Sequence, residues 1–549
     1  MTTNLVLGSG PAAAGVALRL AAAGDQEVTL LDLGGRLEAQ HAAAVSRLGA
    51  GPDWDPADLD LVSTQPVATD RGRLPQKRSY GSDYPFRDLG QLEGIRALAG
   101  GNRSVVSSAY GGFSTVWGAQ VMPFSKATFA RWPIGWADVE AHYRAVLREV
   151  PLAAEHDDLA EHFPLLAEAA PLPPLAPRSL QVLARAERHR AGLRRRGVTV
   201  GRARLALRPR GCTSCGLCLT GCPYGLVYSA AQTIDRLAAA GALRHHRGLL
   251  VHRVGQDGAT ATVVARHLGS GRDVVFRADR VFVACGGLGT TRLVLGSMAR
   301  PPRQLDLAES VQFAVPFLSR VPVPDPRRAP VPGFSLNQFN VLVDLDGTGY
   351  DTSQIHCYPY NPAVLAALPR PLRHRLADPL TGQLLRRLTV GLGYLPSWAS
   401  PTVRVSRGGR SEQGLPEITL AAGPAQVEGM FAQVARRLVT AAPALDLWPV
   451  LAATEQAAAG KSYHFGSAFP HAADASPTTT DRLGRLPEWD RVHLVDGSVL
   501  PSVPSTTFTL TVMANAHRIA EEVLRRERVP APRVSRGASS AGAAAEVVG

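Results

Sequence analysis

Four of the six cysteines lie within one short stretch, residues 211–230, with the sequence GCTSCGLCLTGCPYGLVYSA. Cys212, Cys215, Cys218 and Cys222 have the spacing C-x2-C-x2-C-x3-C-P, which is typical of the iron–sulfur loops of bacterial ferredoxins. Thiolates separated by two residues can converge on one metal centre, and small intervening residues leave backbone amides free to donate to sulfur. The spacing therefore predicts an iron–sulfur cluster, with a 4Fe–4S centre as the first expectation and a 3Fe–4S centre as an alternative.

The pattern leaves the fourth ligand open. In ferredoxins the fourth cysteine of such a run serves a second cluster, so either Cys222 folds back or a remote thiol, Cys285 or Cys357, completes the site. The four local cysteines are the expected set. A structural zinc ion is the main competitor, although zinc sites usually separate two C-x2-C pairs by a longer loop. Buried thiols without a ligand are the third interpretation.

A second chemical signal stands at the N-terminus. Residues 4–34, NLVLGSGPAAAGVALRLAAAGDQEVTLLDLG, predict an apolar strand, a glycine turn, an alanine-rich helix and a second strand ending at Asp32. In this G-x-G-x-x-A pattern Gly8 makes the turn, Gly10 lets the backbone approach a pyrophosphate, and Ala13 allows close helix packing. The start of the helix favours a diphosphate, and Asp32 is placed to bind ribose hydroxyls. The unit predicts dinucleotide binding, and its position in the chain favours FAD over NAD.

A third stretch, residues 110–119, has the sequence YGGFSTVWGA. Gly111 and Gly112 would permit the backbone to lie flat against a ring system, and Ser114 supplies a hydroxyl. Taken alone, these residues fit equally well a glycine turn that precedes an aromatic-rich core segment.

The later chain supplies the elements that would position these residues. Residues 279–298, DRVFVACGGLGTTRLVLGSM, predict a buried strand, a glycine turn and a helix, with Cys285 expected in the core. From residue 301, stretches such as GFSLNQFNVLVDLDG and LTVGLGYLPSW show the residue alternation of strands and are bounded by turn residues. They predict an antiparallel sheet. Such a sheet, inserted between dinucleotide-binding segments, would form a wall over a flavin.

Composition predicts a soluble protein with a large core. The 549 residues are 45% hydrophobic and 19% charged, which favours two intertwined domains. No run reaches the roughly 20 apolar residues of a membrane span, and no secretion signal opens the chain, so a cytoplasmic protein is expected.

The net charge is +13, and the basic residues are densest in residues 185–197, RAERHRAGLRRRG. We interpret this run as solvated helix faces, with a landing patch for an acidic redox partner as the alternative. No aromatic residues interleave with this run, so nucleic-acid binding is not expected.

Several segments in this order resemble the glucose–methanol–choline (GMC) family of flavoprotein oxidoreductases. They are VLGSGPAAAG with Asp32, GGFSTVWGA, VFVACGGLGTTRLVLGS, SYHFGSAFP and VHLVDGSVLPSVPSTTFTLTVMANAHRIAEEVL, and they span residues 6–524. The resemblance implies FAD in a doubly wound domain, a substrate domain with an antiparallel sheet, and oxidation of an alcohol by hydride transfer to the flavin. Some relatives, the bacterial dye-linked sugar dehydrogenases, are similar in having a cysteine-rich loop with C-P-x-G, which implies an iron–sulfur relay beside the flavin.

The resemblance also implies roles for single residues. His464, in SYHFGS, matches the family's catalytic histidine, a base that takes the hydroxyl proton as hydride leaves the carbon. The implied cofactor contacts, beyond the N-terminal unit, are Val251 at the adenine, Gly112 and Ser114 along the flavin, and Asp496 near the diphosphate and ribityl chain.

One position departs from the family pattern. Thr507 stands where the family usually has a second His or Asn. A threonine hydroxyl can hydrogen-bond a substrate oxygen but cannot act as a base near pH 7. Either His464 works alone with Thr507 orienting the substrate, or the reaction is not ordinary alcohol oxidation.

Together these observations predict an α/β fold with a doubly wound, Rossmann-type FAD-binding domain, an inserted antiparallel-sheet substrate domain and a ferredoxin-like cysteine loop. Residues 1–125, 190–300 and 461–527 are assigned to the FAD-binding domain, 126–189 and 301–460 to the substrate domain, and 528–549 to a disordered tail.

Three functional hypotheses follow. The first is an FAD- and iron–sulfur-dependent dehydrogenase for a hydroxyl of a sugar-like or other polyfunctional metabolite, with electrons leaving to a small acidic electron-transfer protein. The second reverses the direction of electron transfer, so that a ferredoxin supplies electrons to a flavin enzyme that reduces or isomerises an unsaturated substrate. The third is a zinc-stabilised flavin-binding protein.

Overall fold

A computed structural model describes residues 1–51, 53–64, 77–89, 95–96, 106–329, 333–361, 370–374, 377–411, 414–425, 427–528 and 546–547. The α-helices in these ranges are α1 (Pro11–Ala21), α2 (Ala39–Ala50), α3 (Pro56–Ser63), α4 (Lys126–Phe129), α5 (Trp136–Leu147), α6 (Pro177–Arg188), α7 (Arg190–Arg194), α8 (Ala230–Ala239), α9 (Gly287–Ser297), α10 (Asp378–Leu385), α11 (Met430–Leu445) and α12 (Thr509–Arg528).

The strands are β1 (Thr2–Leu7), β2 (Gln26–Leu31), β3 (Ile95–Arg96), β4 (Val198–Arg202), β5 (Arg244–His246), β6 (Leu249–Asp257), β7 (Thr260–His267), β8 (Asp273–Ala278), β9 (Arg280–Val283), β10 (Gln304–Glu309), β11 (Gln312–Leu318), β12 (Phe339–Asp344), β13 (Thr352–Tyr358), β14 (Leu388–Tyr394), β15 (Val403–Arg410), β16 (Pro416–Ala422), β17 (Trp448–Pro449), β18 (Glu455–Gln456), β19 (Phe465–Gly466), β20 (Val492–Leu494) and β21 (Glu546–Val547).

The first sheet is parallel, with the strand order β20–β9–β1–β2–β5. Its central strand, β1, is buried from Asn4 to Leu7, as a near-continuous apolar run predicts for a strand covered on both faces. Because the strands run in one direction, the loops that follow them open at one edge of the sheet. This arrangement confirms the predicted doubly wound fold.

Antiparallel sheets make up the second part of the predicted architecture. The largest has the order β17–β11–β14–β13–β12–β4 and carries α11 on one face. Strand β13 is buried along its whole length, so both faces of this sheet are covered. A meander of β6, β7 and β8 extends the parallel-sheet unit.

Three contacts in the structure cross the predicted domain boundaries, which stay predictions. Strand β4, predicted for the FAD-binding domain, pairs with β12 of the large antiparallel sheet. Strands β10, β15 and β16, predicted for the substrate domain, form a smaller sheet whose buried residues share the core of the parallel sheet. Helix α5 packs on α12, where the hydroxyls of Tyr143 and Thr511 lie 2.7 Å apart. In each case the pairing joins segments far apart in the chain, which local periodicity does not reveal.

The predicted disordered tail lies outside the described residues, apart from Arg528 at the end of α12 and the short strand β21 beside β8. Within the described parts of the chain, no helix is both long and apolar enough to cross a membrane.

The arginine-rich run at 185–197 forms α6, α7 and the turn before β4. Arg185 donates to the carbonyls of Pro443 and Ala444, at 2.9 and 3.0 Å. Arg190 and Arg194 form ion pairs with Asp158 at 2.9 and 3.2 Å. These three arginines thus bind groups of the protein's own surface, and the solvated-face and landing-patch interpretations of the run both stay predictions.

Candidate active site

One cavity collects the loops that follow the carboxyl ends of neighbouring parallel strands. Gly8 and Gly10 follow β1, Asp32 follows β2, Gly286 follows β9, and Asp496 follows β20, and all of them line this cavity. The edge of a parallel sheet where such loops meet is where nucleotides bind in open α/β folds. We call this space the nucleotide cavity. The predicted residues Gly112, Ser114, Val251 and His464 also line it.

The glycines keep the start of the cavity free of side chains. Gly8 has a φ of +101°, and a Cβ at this position would lie 2.5 Å from the carbonyl oxygen of Ala284. A Cβ on Gly112 would lie 3.2 Å from Cα of Gly10, so the two glycine turns approach closely. Ala13 is fully buried in the core under α1, which fits its predicted packing role. A ligand here would meet main chain and the N-terminus of α1.

Asp32 presents one buried carboxylate oxygen without a partner. Its Oδ1 lies 2.9 Å from Nε2 of His245, while Oδ2 is buried and has no hydrogen bond. The His245 ring is stacked on Tyr110 with centroids 4.9 Å apart, so it is held in place. An unpaired buried acceptor in a cavity fits a ligand that donates a hydrogen bond, such as a ribose hydroxyl. Sequence reasoning missed His245, which comes from β5, more than 200 residues after Asp32.

Ser114 lies on the loop predicted to contact a flavin, but its hydroxyl is turned toward protein. The Ser114 Oγ donates to the carbonyl of Gly111 at 2.6 Å and accepts from the amide of Ala230 at 2.9 Å. Gly111, with a φ of +99°, donates its amide to Ser9 Oγ at 3.0 Å. Ser114 therefore ties the glycine loop to the start of α8.

Asp496 is buried and its carboxylate is fully engaged. It accepts from the amides of Gly286 and Ser498 at 2.8 and 2.9 Å and from Thr290 Oγ1 at 2.5 Å. Burial raises the pKa of this carboxyl, although these donors oppose the shift. Asp496 thus lines the cavity where predicted while fixing the turn that starts α9.

His464 lies at the part of the cavity lined by aromatic residues. Its ring is stacked on Tyr394 at 4.8 Å and meets Phe508 edge to face at 4.9 Å. Nδ1 is buried without a hydrogen-bond partner, and burial lowers the pKa of His464 to about 4. The imidazole is therefore neutral at physiological pH and can accept a proton.

Thr507 lies next to the aromatic side chains around His464, because its neighbour in the chain, Phe508, contacts the His464 ring. Its Oγ1 donates to the carbonyl of Gln120 at 3.2 Å, so the hydroxyl hydrogen is committed to the main chain. The oxygen keeps lone pairs with which it can accept from a ligand. The structure therefore brings the family-matched positions 464 and 507 to the same region.

The cysteine loop borders a second cavity, on the far side of Ser114. Ser114 lines both cavities, and Cys218 and Cys222 line the second one together with Lys77 and Trp117. Lys77 is half-buried; desolvation lowers its pKa to about 8, and its Nζ donates to the Trp117 carbonyl at 3.1 Å. The two cavities thus share a wall formed by the glycine loop.

Backbone amides lie near one of the cysteine sulfurs. Burial raises the pKa of the Cys222 thiol, and the nearby amides of Leu226, Tyr224 and Val227 oppose the shift. In the described parts of the chain, however, no three His, Cys, Asp or Glu side chains are gathered closely enough to hold a metal ion. The iron–sulfur and zinc ligand sets therefore stay predictions.

The two cysteines outside the cysteine loop, Cys285 and Cys357, lie in other parts of the structure. Cys285 lines the nucleotide cavity and its Sγ is 3.6 Å from the carbonyl of Leu7, while Cys357 is buried in the core beneath the large antiparallel sheet. Neither lines the second cavity with Cys218 and Cys222.

Sequence reasoning also missed the aromatic residues of the site. Phe113 and Tyr463 line the nucleotide cavity with ring centroids 5.7 Å apart, and Phe86 packs on both. Tyr394 comes from β14 of the large sheet. Phe113 and Tyr463 adjoin predicted residues in the chain and could have been found; Tyr394 has no such signal.

Comparisons with known proteins agree with this architecture. Residues 403–516 match the C-terminal family model described as GMC oxidoreductase. Pyridoxine 4-oxidase from Mesorbium loti has a similar fold at a TM-score of 0.59, with 16% identity over 96% of this chain and 99% of that chain. The R554K formate oxidase of Aspergillus oryzae RIB40 is similar at 0.59, with 13% identity over 96% of this chain and 98% of that chain. A search of curated proteins found no match.

These findings show that the chain has the fold of GMC-type oxidases. The family-model match in the C-terminal part, which contains His464 and Asp496, supports an oxidoreductase that acts on CH–OH groups.

Proposed function

We propose that this protein is an FAD-dependent dehydrogenase that oxidises a hydroxyl group of a sugar-like or other polyfunctional metabolite, with His464 as the base. The observation that carries the proposal is that a neutral, cavity-lining imidazole shares one cavity with the glycine turn of β1 and the unpaired oxygen of Asp32.

The residues of the nucleotide cavity fit FAD. The turn at Gly8 and Gly10 offers main chain and a helix start to a diphosphate, Asp32 Oδ2 offers an acceptor to a ribose, and Val251 lines the cavity where the adenine is expected. When bound, FAD supplies an acceptor for the hydride of the carbinol carbon.

The protein's own residues would handle the proton. His464 takes the hydroxyl proton, because the neutral imidazole has a ring nitrogen with a free lone pair. Tyr394 and Phe508 hold the ring from two sides and keep bulk water away from it. Thr507 Oγ1 accepts a hydrogen bond from the substrate and orients it.

We extend the proposal to an iron–sulfur cluster at Cys212, Cys215, Cys218 and Cys222. Support comes from the ferredoxin spacing, from the backbone amides near the Cys222 sulfur, and from the wall that the second cavity shares with the nucleotide cavity. A cluster here would supply one-electron transfer to a small acidic electron-transfer protein.

The test is anaerobic purification followed by flavin, iron, zinc and sulfide analysis and electron paramagnetic resonance. D-glucose, D-fructose and glycerol are then added with 2,6-dichlorophenolindophenol as acceptor. Bound FAD with substrate-dependent bleaching supports the dehydrogenase, and iron with sulfide supports the cluster. Reoxidation of reduced flavin by an unsaturated substrate, without bleaching by any alcohol, would favour the reductase hypothesis, and zinc without turnover the binding-protein hypothesis.

A further inference from the structure

A buried carboxylate holds the turn that leads into His464. Glu309, the last residue of β10, is fully buried. Its Oε2 accepts from the amide of Gly460 at 2.7 Å and its Oε1 from the amide of Ser462 at 2.6 Å. The Lys461 amide between them donates to the carbonyl of Ala458 at 3.1 Å. Two amides of the 460–462 turn, those of Gly460 and Ser462, therefore converge on one side chain.

The residue after Glu309 holds His464 from the other side. Ser310 donates its amide to the carbonyl of His464 at 3.2 Å, and the His464 amide donates to Ser462 Oγ at 2.9 Å. Glu309 then pairs with Phe465 in the β10–β19 ladder. The main chain is thus fixed by β10 before, at and after position 464.

A carboxylate suits this place better than any neutral side chain. In the ionised form both of its oxygens only accept, and hydrogen bonds to an ionised acceptor are about twice as strong as neutral ones. Burial raises the pKa of Glu309 to about 7, so the ionised form prevails above that pH. A glutamine of the same shape would turn an N–H group toward one of the amides. Burying a carboxylate is costly unless it is well hydrogen-bonded, and the amides of the turn provide those bonds.

We propose that Glu309 is the positioning residue for His464: by binding the amides of the 460–462 turn, its carboxylate fixes the imidazole against Tyr394 and Phe508 and toward the substrate. The proposal rests on the proposed role of His464 as the base. Glu309 itself need not touch substrate or flavin for this role.

The test compares Glu309→Gln and Glu309→Ala with a matched control, Asp446→Asn. Asp446 is also buried and also accepts from two successive amides, those of Arg320 and Val321 at 2.9 and 3.1 Å, but it lies on the substrate-domain side. Turnover is measured with D-glucose, or with whichever of the three alcohols is active, and with dichlorophenolindophenol. Hydrogen exchange is measured on the peptide that spans residues 458–466.

We expect Glu309→Gln to lower kcat about 10- to 100-fold with KM changed less than about twofold, since a small misplacement of a catalytic group has effects of this size. Glu309→Ala should lower kcat further. Exchange at 458–466 should be faster in both variants, with FAD content unchanged. Asp446→Asn should leave kcat and this exchange as in the wild type while lowering thermal stability.

The outcomes separate the two proposals. If His464→Asn turns over normally, the assignment of His464 as the base fails. Faster exchange in Glu309→Gln would then still support the finding that Glu309 holds the 460–462 turn. If His464→Asn is inactive and Glu309→Gln keeps wild-type kcat and exchange, the positioning role is overturned. Should Glu309→Gln not fold, Glu309→Asp keeps the charge on a shorter chain, and wild-type kcat together with faster exchange at 458–466 in that variant would also overturn the positioning role.

Discussion

The imidazole of His464 lies against the ring of Tyr394, with centroids 4.8 Å apart and ring planes inclined by 23°. The two residues come from different units: His464 precedes β19 beside the nucleotide cavity, and Tyr394 ends β14 of the large antiparallel sheet. Since Phe508 covers another side, the ring is desolvated and its neutral form is favoured. The contact between the two units therefore sets the protonation state of the proposed base.

Replacing His464 by Asn should lower kcat about 10²- to 10⁴-fold, the range that general-base catalysis usually contributes, because the amide cannot take the proton. FAD content should stay unchanged. His189→Gln, at an exposed position of the chain, serves as the matched histidine control. Steady-state turnover of the active alcohol checks the result, and wild-type kcat in His464→Asn would exclude the base role.

The pH profile follows from the lowered pKa of His464, about 4. The base form is present above this pKa and is lost as the pH falls through it. The fall in kcat/KM that reports His464 should therefore lie near pH 4, rather than near the ordinary histidine value of about 6.5. It is measured in Glu309→Gln, because burial raises the pKa of Glu309 to about 7 and its protonation in the wild type would loosen the 460–462 turn near that pH. A fall centred near 6.5 in Glu309→Gln would show that the ring is solvated in the working enzyme.

The nucleotide half of the site could be predicted because its signals are local. Gly8, Gly10 and Asp32 lie within one strand–helix–strand unit, whose spacing is dictated by the turn and by the approach of a diphosphate. The site roles of Asp496 and His464 could be predicted only from the resemblance to the GMC family. The structure adds a physical reason for Asp496, because its carboxylate caps the turn at Gly286.

The contacts that complete the site could not be predicted, because they join distant segments. His245 reaches Asp32 across 213 positions, and Glu309 reaches Ser462 across 153. A single buried carboxylate in a strand has no periodic signature, and strand pairing such as β4 with β12 depends on the whole sheet. Such contacts are decided by packing rather than by local pattern.

Cysteine variants test the proposed cluster ligands. Cys218→Ser and Cys222→Ser should lose iron and sulfide after anaerobic purification, because serine is a poor ligand for the cluster iron. Cys285→Ser and Cys357→Ser should keep both, since these residues lie at the nucleotide cavity and beneath the large sheet. Iron, sulfide and paramagnetic resonance on all four proteins check this. Loss of iron in Cys285→Ser with retention in Cys222→Ser would reassign the fourth ligand.

Gly15 allows α12 to approach α1. A Cβ at this position would lie 2.4 Å from the carbonyl oxygen of Met513, a main-chain atom that cannot move alone. Gly15→Ala should therefore lower the free energy of unfolding by about 1–3 kcal/mol despite the better helix propensity of alanine. The control is Gly192→Ala in α7, where the nearest atom is the end of the Arg196 side chain at 3.2 Å. It should be neutral or stabilise by up to about 1 kcal/mol, and equal urea midpoints for the two variants would contradict the packing argument.

Buried histidines should make the protein unstable in mild acid. Burial lowers the pKa of His356 and His471 to about 3 and that of His493 to about 4. The unfolded chain binds these protons near pH 6.5 while the folded chain does not, so stability is complete above pH 6.5 and is lost as the pH falls toward 4. Each such histidine contributes a slope of about 1.4 kcal/mol per pH unit in that window.

Urea unfolding at pH 7.5, 6.0 and 5.0 measures this slope. The histidine with the clearest single contact is His493, whose ring stacks on Phe282 at 5.2 Å. His493→Gln removes one titrating group, so the loss of stability between pH 6.0 and 5.0 should shrink by about 1 kcal/mol relative to the wild type, even though the variant is less stable at pH 7.5. His189→Gln should keep the wild-type slope, because this side chain is exposed. A His493→Gln slope equal to that of the wild type would show that the His493 ring is already protonated in the folded protein.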